Sequence, residues 1–413
     1  MKILLVNNII GYAGGAETIV LNTGKLLESK GHEVYYFGTD QNTCLTSKEH
    51  LVNFTHFSAM PLYKRPFYIL KSIYNQEAKQ KFMQYLDLIK PDLVHFNVIE
   101  YQLTISVLDC CRIAGIPAIM TMHNPYLLCP SVRLLIKNEH YCYNELCIPG
   151  NPTHCIIHRC AGKSLAKSLV STIEYTYRKI FRNLDVIRYF IVPSEELKRL
   201  AITSGISESR IVVIRNFVDE SYFKAIPEAN NNNYFIYAGR LSPEKGVDLL
   251  IKAMRYVSPE IHLKIIGTGN ELEKLKSMTR DYNLSNITFT GFMPPESLQE
   301  EYKNCLACIL PTVGFENAPL NVLEAFSYGK PVIGSKLGGI PELIEEGVTG
   351  YLFEPGNALE LSEKITTTYA SPETALHMGH NGRHRLDQFH SPDFYYSQLL
   401  NTYQKIVEET NKL

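Results

Sequence analysis

The 413-residue chain predicts an α/β protein of two doubly wound, parallel-sheet domains facing a central cleft. Short aliphatic and β-branched runs recur along its length, several are followed by a segment of helical period, and the length exceeds one ordinary core. A first series of runs lies at residues 3–6, 34–37, 93–96, 118–122 and 189–192. Behind the first run, Ala16, Ile19, Val20, Thr23, Leu26 and Leu27 fall on one face of a helix. A second series follows Ser194, a helix cap behind Val192-Pro193, at residues 234–238, 263–266, 287–289, 307–310 and 331–333. Strands that alternate with helices pair in parallel through crossover connections. Two Rossmann-like domains are therefore expected at 1–192 and 193–388. Residues 389–413, with Phe394, Leu399, Leu400, Tyr403 and Val407 at helical spacing, are expected to form a helix crossing back to the N-terminal domain.

Composition excludes several classes. Hydrophobic residues make up 45% and charged residues 20%, and 41 basic against 42 acidic residues give a net charge of -1. No global field draws this chain to nucleic acid. The first apolar run is too short for a signal-peptide core, and no uninterrupted apolar run reaches the roughly 18 residues of a spanning helix, so a cytoplasmic location is expected. Ten cysteines without a secretory signal read as buried, reactive or metal-bound thiols. Five of them, Cys129, Cys142, Cys147, Cys155 and Cys160, fall in an insertion at about 125–162. Cys142 with Cys147 and Cys155 with Cys160 form two pairs with four intervening residues each. That spacing admits a structural zinc; it is looser than Cys-x-x-Cys, and buried thiols are the alternative.

In open parallel sheets, ligands gather at the carboxyl ends of strands, where helix N-termini and Gly-rich turns approach them. After the first run come Gly11, Gly14, Gly15, Ala16 and Glu17, a turn through which backbone N–H groups can meet an anion. Its spacing departs from Gly-x-Gly-x-x-Gly, and Asp40 is the only acid placed for a ribose, which disfavours a nicotinamide enzyme. His123 and Asn124 end the run at 118–122, where an imidazole can donate to a hydroxyl or phosphate.

The second series carries more. In Tyr237-Ala238-Gly239-Arg240-Leu241-Ser242-Pro243-Glu244-Lys245-Gly246, the glycines open the backbone, Arg240 can fork onto phosphate oxygens, and Lys245 adds a point charge. Gly267 and Gly269, and Gly291 with Phe292, close strands in turns that suit backbone contacts to a nucleotide base and equally an ordinary βα loop. Within 311–326, Asn317 reads as an N-cap and Pro319 as a first-turn residue, which puts Glu316 in the loop and Glu324 in the helix. Seven residues separate the two carboxylates, so they can reach different parts of one ligand. Surface ion pairing and an ordinary capped helix are the plainer readings.

Taken in this order, Gly14-Gly15-Ala16-Glu17, His123, Gly239-Arg240 with Lys245-Gly246, Glu316 with Glu324, and Gly338-Gly339-Ile340-Pro341-Glu342 resemble the family 4 glycosyltransferases of GT-B fold. The resemblance implies a retaining hexosyltransferase using a nucleotide-diphosphate sugar, UDP-sugars favoured over GDP-mannose. Its acceptor would be a glycan or a lipid-linked acceptor in surface polysaccharide, lipopolysaccharide or capsule synthesis. It further implies Arg240 and Lys245 on the diphosphate, Glu316 on hydroxyls of the transferred sugar, Glu324 on the ribose, and His123 near the sugar and leaving phosphate. Gly14, Gly15, Gly239, Gly267, Gly269, Phe292, Asn317, Ala318, Pro319 and Leu320 would complete the donor site. No Asp-x-Asp pair occurs, so neither a metal clamp on the diphosphate nor another cofactor is expected for catalysis. A noncatalytic nucleotide-sugar-binding protein of the same fold is the alternative.

The segment 163–189 carries Lys163, Lys167, Arg178, Lys179, Arg182 and Arg188 among Leu165, Leu169, Ile173, Tyr177, Ile180 and Phe181. It reads as a basic amphipathic helix for peripheral contact with an anionic membrane, or as a domain helix with a solvated face. Lys64, Arg65 and Lys71 lie among aromatic residues that would add to such a surface.

Overall fold

The computed structural model describes all residues except 12–13, 40–48, 53–69, 101, 137–139, 143–145, 182, 224–232 and 412–413. Asp40, Lys64, Arg65 and Arg182 therefore lie outside the described residues. Along the chain run β1 (Lys2–Ile9), β2 (Glu33–Thr39), β3 (Glu49–Val52), β4 (Leu93–Phe96) and β5 (Ala118–Thr121). The two-residue strands β6 (Leu135–Ile136) and β7 (His140–Tyr141) stand outside the main sheets, and β8 (Ile187–Val192) and β9 (Ile211–Val213) complete the first of these. The second contains β10 (Tyr234–Ala238), β11 (His262–Ile266), β12 (Ile287–Gly291), β13 (Ala307–Leu310), β14 (Val332–Ser335) and β15 (Gly350–Phe353).

The first sheet has the order β3-β2-β1-β4-β5-β8-β9, and the second β12-β11-β10-β13-β14-β15, with parallel pairing throughout. Helices cover both faces, so the central strands are apolar without alternation: Ile3, Leu4, Leu5 and Val6 on β1 are all buried. In the second sheet, Leu250, Ile251 and Ile365 pack one face, and Leu323, Phe326 and Leu386 the other. Each order reverses beside its first strand, between β1 and β4 and between β10 and β13. Such a reversal opens a crevice at the carboxyl ends, because the two flanking crossovers leave in opposite directions.

The chain divides into two compact units, Met1–Lys137 with Tyr143–Ile214 and Tyr395–Leu413, and Asn138–Cys142 with Arg215–Phe394. Ser194 does cap the helix Glu195–Thr203, accepting from the Leu197 N–H at 3.1 Å. That helix and β9 belong to the first unit, however, because β9 pairs with β8 through Phe190 and Ile211, so the first sheet runs past residue 192. A three-residue strand is too short to announce itself by pattern. The last helix, Pro392–Asn411, joins the first unit: Tyr403 is fully buried with its hydroxyl 2.7 Å from His95 Nδ1, and Tyr395 meets Thr23 at 3.1 Å. Among the described residues, no helix is long and apolar enough to cross a membrane.

Candidate active site

In the second unit, the loops after β10, β11, β13 and β14 meet at the crevice between β10 and β13. Glycine makes that meeting possible. Gly246 has a positive φ of 66°, and a Cβ there would lie 2.0 Å from the Pro311 carbonyl oxygen. The Glu244 carbonyl accepts from the Val313 and Gly314 N–H groups at 3.0 Å each and from the Thr312 hydroxyl at 2.8 Å, tying the two loops together. The third loop is held by Leu241 N–H donating to the Thr268 carbonyl at 2.8 Å. On the fourth, the Gly339 N–H donates to the Glu316 carbonyl at 2.8 Å, and Gly338 lies so close that a Cβ would sit 2.1 Å from that oxygen.

This knot sets the charged side chains. Lys245 and Glu316 form an ion pair whose side chains are 23% and 14% exposed, so each holds the other at the crevice. Arg240 extends into solvent, 67% exposed, with its guanidinium 3.6 Å from Glu244. Glu324, one turn into the helix Leu320–Ser327, accepts from the Tyr302 hydroxyl at 2.9 Å. Burial raises its carboxyl above the ordinary value, against the lowering effect of that hydrogen bond. The Asn216 side chain fixes the Ala318 carbonyl at 2.9 Å. Ser242 Oγ and Asn321 Oδ1 are buried here with no hydrogen-bond partner among the described residues. Orphaned polar atoms of this kind call for a ligand or water. Phe292 directly follows β12 with 75% of its surface exposed, which leaves its ring accessible to a ligand.

One expectation needs correcting. Asn317 does not cap the helix; it is a buried loop residue, and the helix begins at Leu320 with Pro319 in the cap position at φ -67° and ψ 124°. Proline disfavours helical geometry at the residue before it, which keeps Ala318 and all that precedes it outside the helix.

In the first unit, Gly14 and Gly15 open the helix Gly15–Ser29, whose cap has no side-chain hydrogen bond. His123 follows β5, with Nε2 2.9 Å from Asn97 Oδ1, and burial lowers its pKa to about 4, so the ring is neutral near pH 7. Beside it, Asn124 donates to Glu100 at 2.7 Å. Desolvation raises the Glu100 carboxyl to about 7, opposed by Asn124 and Arg178 and reinforced by Glu174 and Glu17. An acid whose folded pKa exceeds its unfolded value destabilises the fold as pH rises from about 4.5 through about 7. Glu100→Gln is therefore expected to leave stability nearly unchanged at pH 5. At pH 8 it should raise stability by up to about 3 kcal/mol relative to the parent. Denaturant unfolding at the two pH values reads this directly, and equal effects at both would show that Glu100 is not the titrating group.

Residues 13–222 match the family described as Glycosyltransferase Family 4, and residues 218–385 match Glycosyl transferases group 1. The chain belongs to the family 4 glycosyltransferases. An uncharacterized glycosyltransferase of Haemophilus influenzae is 24% identical over 91% of this chain and 92% of its own. The lipopolysaccharide 1,6-galactosyltransferase of Escherichia coli is 29% identical over 50% of this chain and 59% of its own. The chain spans about half the length of several curated relatives it matches, this galactosyltransferase among them. Among solved structures, Anabaena HepE in complex with UDP-glucose superposes with a TM-score of 0.69 at 20% identity, covering 100% of both chains, and shares the GT-B fold.

Within this family 4 fold, the structure brings Gly239, Arg240, Lys245, Gly267, Gly269, Glu316, Asn317, Ala318, Pro319, Leu320 and Glu324 to one set of strand ends in the second unit. Gly14, Gly15 and His123 lie at strand ends of the first. Sequence reasoning missed Glu244, Asn97 and Glu100. Glu244 works through its main-chain carbonyl, which leaves no residue-type signal. Asn97 and Glu100 directly follow β4, where the strand-end rule could have found them. In the cysteine-rich insertion, Cys129 lies 3.2 Å from the Ser131 hydroxyl, and a hydrogen bond from Cys160 pulls the Cys155 thiol down. Among the described residues, no group of three or more His, Cys, Asp or Glu side chains, Cys142 and Cys147 included, is placed to hold a metal ion.

Proposed function

We infer that this chain transfers a hexosyl group from a nucleotide-diphosphate sugar, a UDP-sugar by preference, with retention at the anomeric carbon. The acceptor in this reading is a glycan or a lipid-linked glycan of surface polysaccharide, lipopolysaccharide or capsule synthesis. The observation that carries it is the Lys245–Glu316 ion pair at the crevice between β10 and β13, with Arg240 beside it.

Breaking the sugar–phosphate bond leaves negative charge on the departing nucleoside diphosphate. Fixed cations lower the barrier because their attraction grows as that charge develops. Arg240 and Lys245 supply them. Glu316, released from Lys245 as the diphosphate enters, is free to accept from hydroxyls of the transferred sugar. Glu324, held by Tyr302, accepts from the ribose, and the exposed Phe292 offers a face to the base. The reading gains support from the Escherichia coli relative named for galactosyl transfer to lipopolysaccharide, and from a capsular polysaccharide biosynthesis glycosyltransferase of Staphylococcus aureus, 26% identical over 53% of this chain.

A donor panel tests it. UDP-, GDP- and ADP-sugars are added to the purified protein while thermal unfolding and slow donor hydrolysis are recorded. One UDP-sugar is expected to raise the unfolding midpoint by several degrees and to be hydrolysed. A shift without hydrolysis or transfer would favour a noncatalytic binder, and no response to any donor would overturn the reading altogether.

A further inference from the structure

The helix Leu165–Ile180 is packed inside out. Its buried residues are Ser168, Thr172, Tyr175 and Arg178, whereas Leu165, Leu169, Ile173 and Ile180 are 55%, 47%, 47% and 67% exposed. At the α-helical angle these four aliphatic side chains fall within an arc of about 80°. Phe181, 57% exposed, extends the stripe beyond the last turn. The inward face is polar because its partners are polar. Ser168 accepts from the Ala161 N–H at 3.1 Å, and Thr172 donates to the Pro152 carbonyl at 3.4 Å. Arg178 pairs with Glu174 at 2.9 Å, donates to the Tyr126 carbonyl at 3.1 Å and lies 4.1 Å above the Tyr126 ring.

A water-soluble surface helix turns such a stripe toward a core; this one turns it toward solvent. The charges around it are mostly positive. Lys163, Lys167 and Lys179 on the same segment are exposed. Tyr74 rests against Tyr177, and Leu70, 65% exposed, and Lys71 lie four and three residues before it in the chain. Of the nearby acids, Glu174 is tied to Arg178, Asp109 accepts from Tyr74, Glu77 pairs with Lys71, and Asp185, beyond the far end, acts on Arg210.

We propose that this face docks on an anionic lipid bilayer, the helix lying in the headgroup plane. Leu165, Leu169, Ile173, Ile180 and Phe181 reach the acyl boundary, and the lysines meet lipid phosphates. Apolar insertion and attraction to anionic lipid act together on such a face, and neither suffices alone. This surface stands apart from the donor-site reading and does not depend on it.

Vesicle flotation tests the proposal, with phosphatidylcholine vesicles compared with vesicles containing one quarter phosphatidylglycerol, at 50 and 500 mM NaCl. The protein is expected to float with the anionic vesicles at low salt, to be largely released at high salt, and to ignore the neutral ones. The double variant Leu169→Gln/Ile173→Gln is expected to reduce flotation at least tenfold while its unfolding midpoint and hydrolysis of a soluble donor stay unchanged. Absence of flotation at low salt, or a variant that floats like the parent, overturns it. So does sedimentation as a dimer that the double variant converts to monomer without vesicle binding, since a second copy would then cover the stripe.

Discussion

Lys245→Ala is expected to reduce sugar transfer by at least about a hundredfold, the scale seen when one fixed charge facing a developing anion is removed. The unfolding midpoint should change little. The Lys245–Glu316 pair is partly solvated, with a quarter or less of each side chain exposed, so breaking it costs less than breaking a fully buried pair. Glu316→Ala should cause a comparable loss of turnover for a different reason, because it removes acceptors for the sugar rather than charge for the leaving group. The two are separable. Lys245→Ala should weaken nucleoside diphosphate binding, whereas Glu316→Ala should leave free UDP binding nearly intact and impair the sugar nucleotide. Calorimetry with UDP and with the full donor reads the difference, and near-full activity in either variant would show the site assignment to be wrong.

Gly246→Ala is expected to destabilise the second unit by about 2–4 kcal/mol, well beyond the roughly 1 kcal/mol that a left-handed alanine costs by itself. The excess comes from the Pro311 carbonyl, 2.0 Å from the added Cβ, where the loop after β13 packs directly on the loop after β10. Gly347 supplies the control: its φ is 72°, and nothing lies within 4 Å of a Cβ there. Gly347→Ala should show the backbone cost alone. Urea unfolding of the two variants compares them, and equal losses would mean that the close approach contributes nothing.

The anchors of the candidate site were legible because each is a local pattern: an apolar strand, a glycine, a charged residue, then a helix. Gly239, Arg240, Lys245 and Gly246 fall within eight consecutive residues of one loop, so chain connectivity alone brings them together. What joins them to Glu316 was not legible. The Lys245–Glu316 pair spans 71 positions, and the Glu244 carbonyl that fixes the intervening loops has no side-chain signature. The start of the helix at Leu320 rather than behind Asn317 was within reach, since Pro319 disfavours helical geometry at Ala318. The cysteine spacing admitted a structural zinc with buried thiols as the alternative, and spacing alone does not say which way each thiol faces; among the described residues no group of three or more ligating side chains is assembled.

Residues 163–181 show the division most clearly. By itself the sequence determined an amphipathic helix there, with aliphatic side chains four apart on one face and Ser168, Thr172, Tyr175 and Arg178 on another. Periodicity fixes the angle between two faces and carries no information about which faces inward. The tertiary structure decided that. Tyr126 and the carbonyls of the cysteine-rich insertion present polar groups to the helix, so the face that could satisfy them turned in and the aliphatic face was left outside.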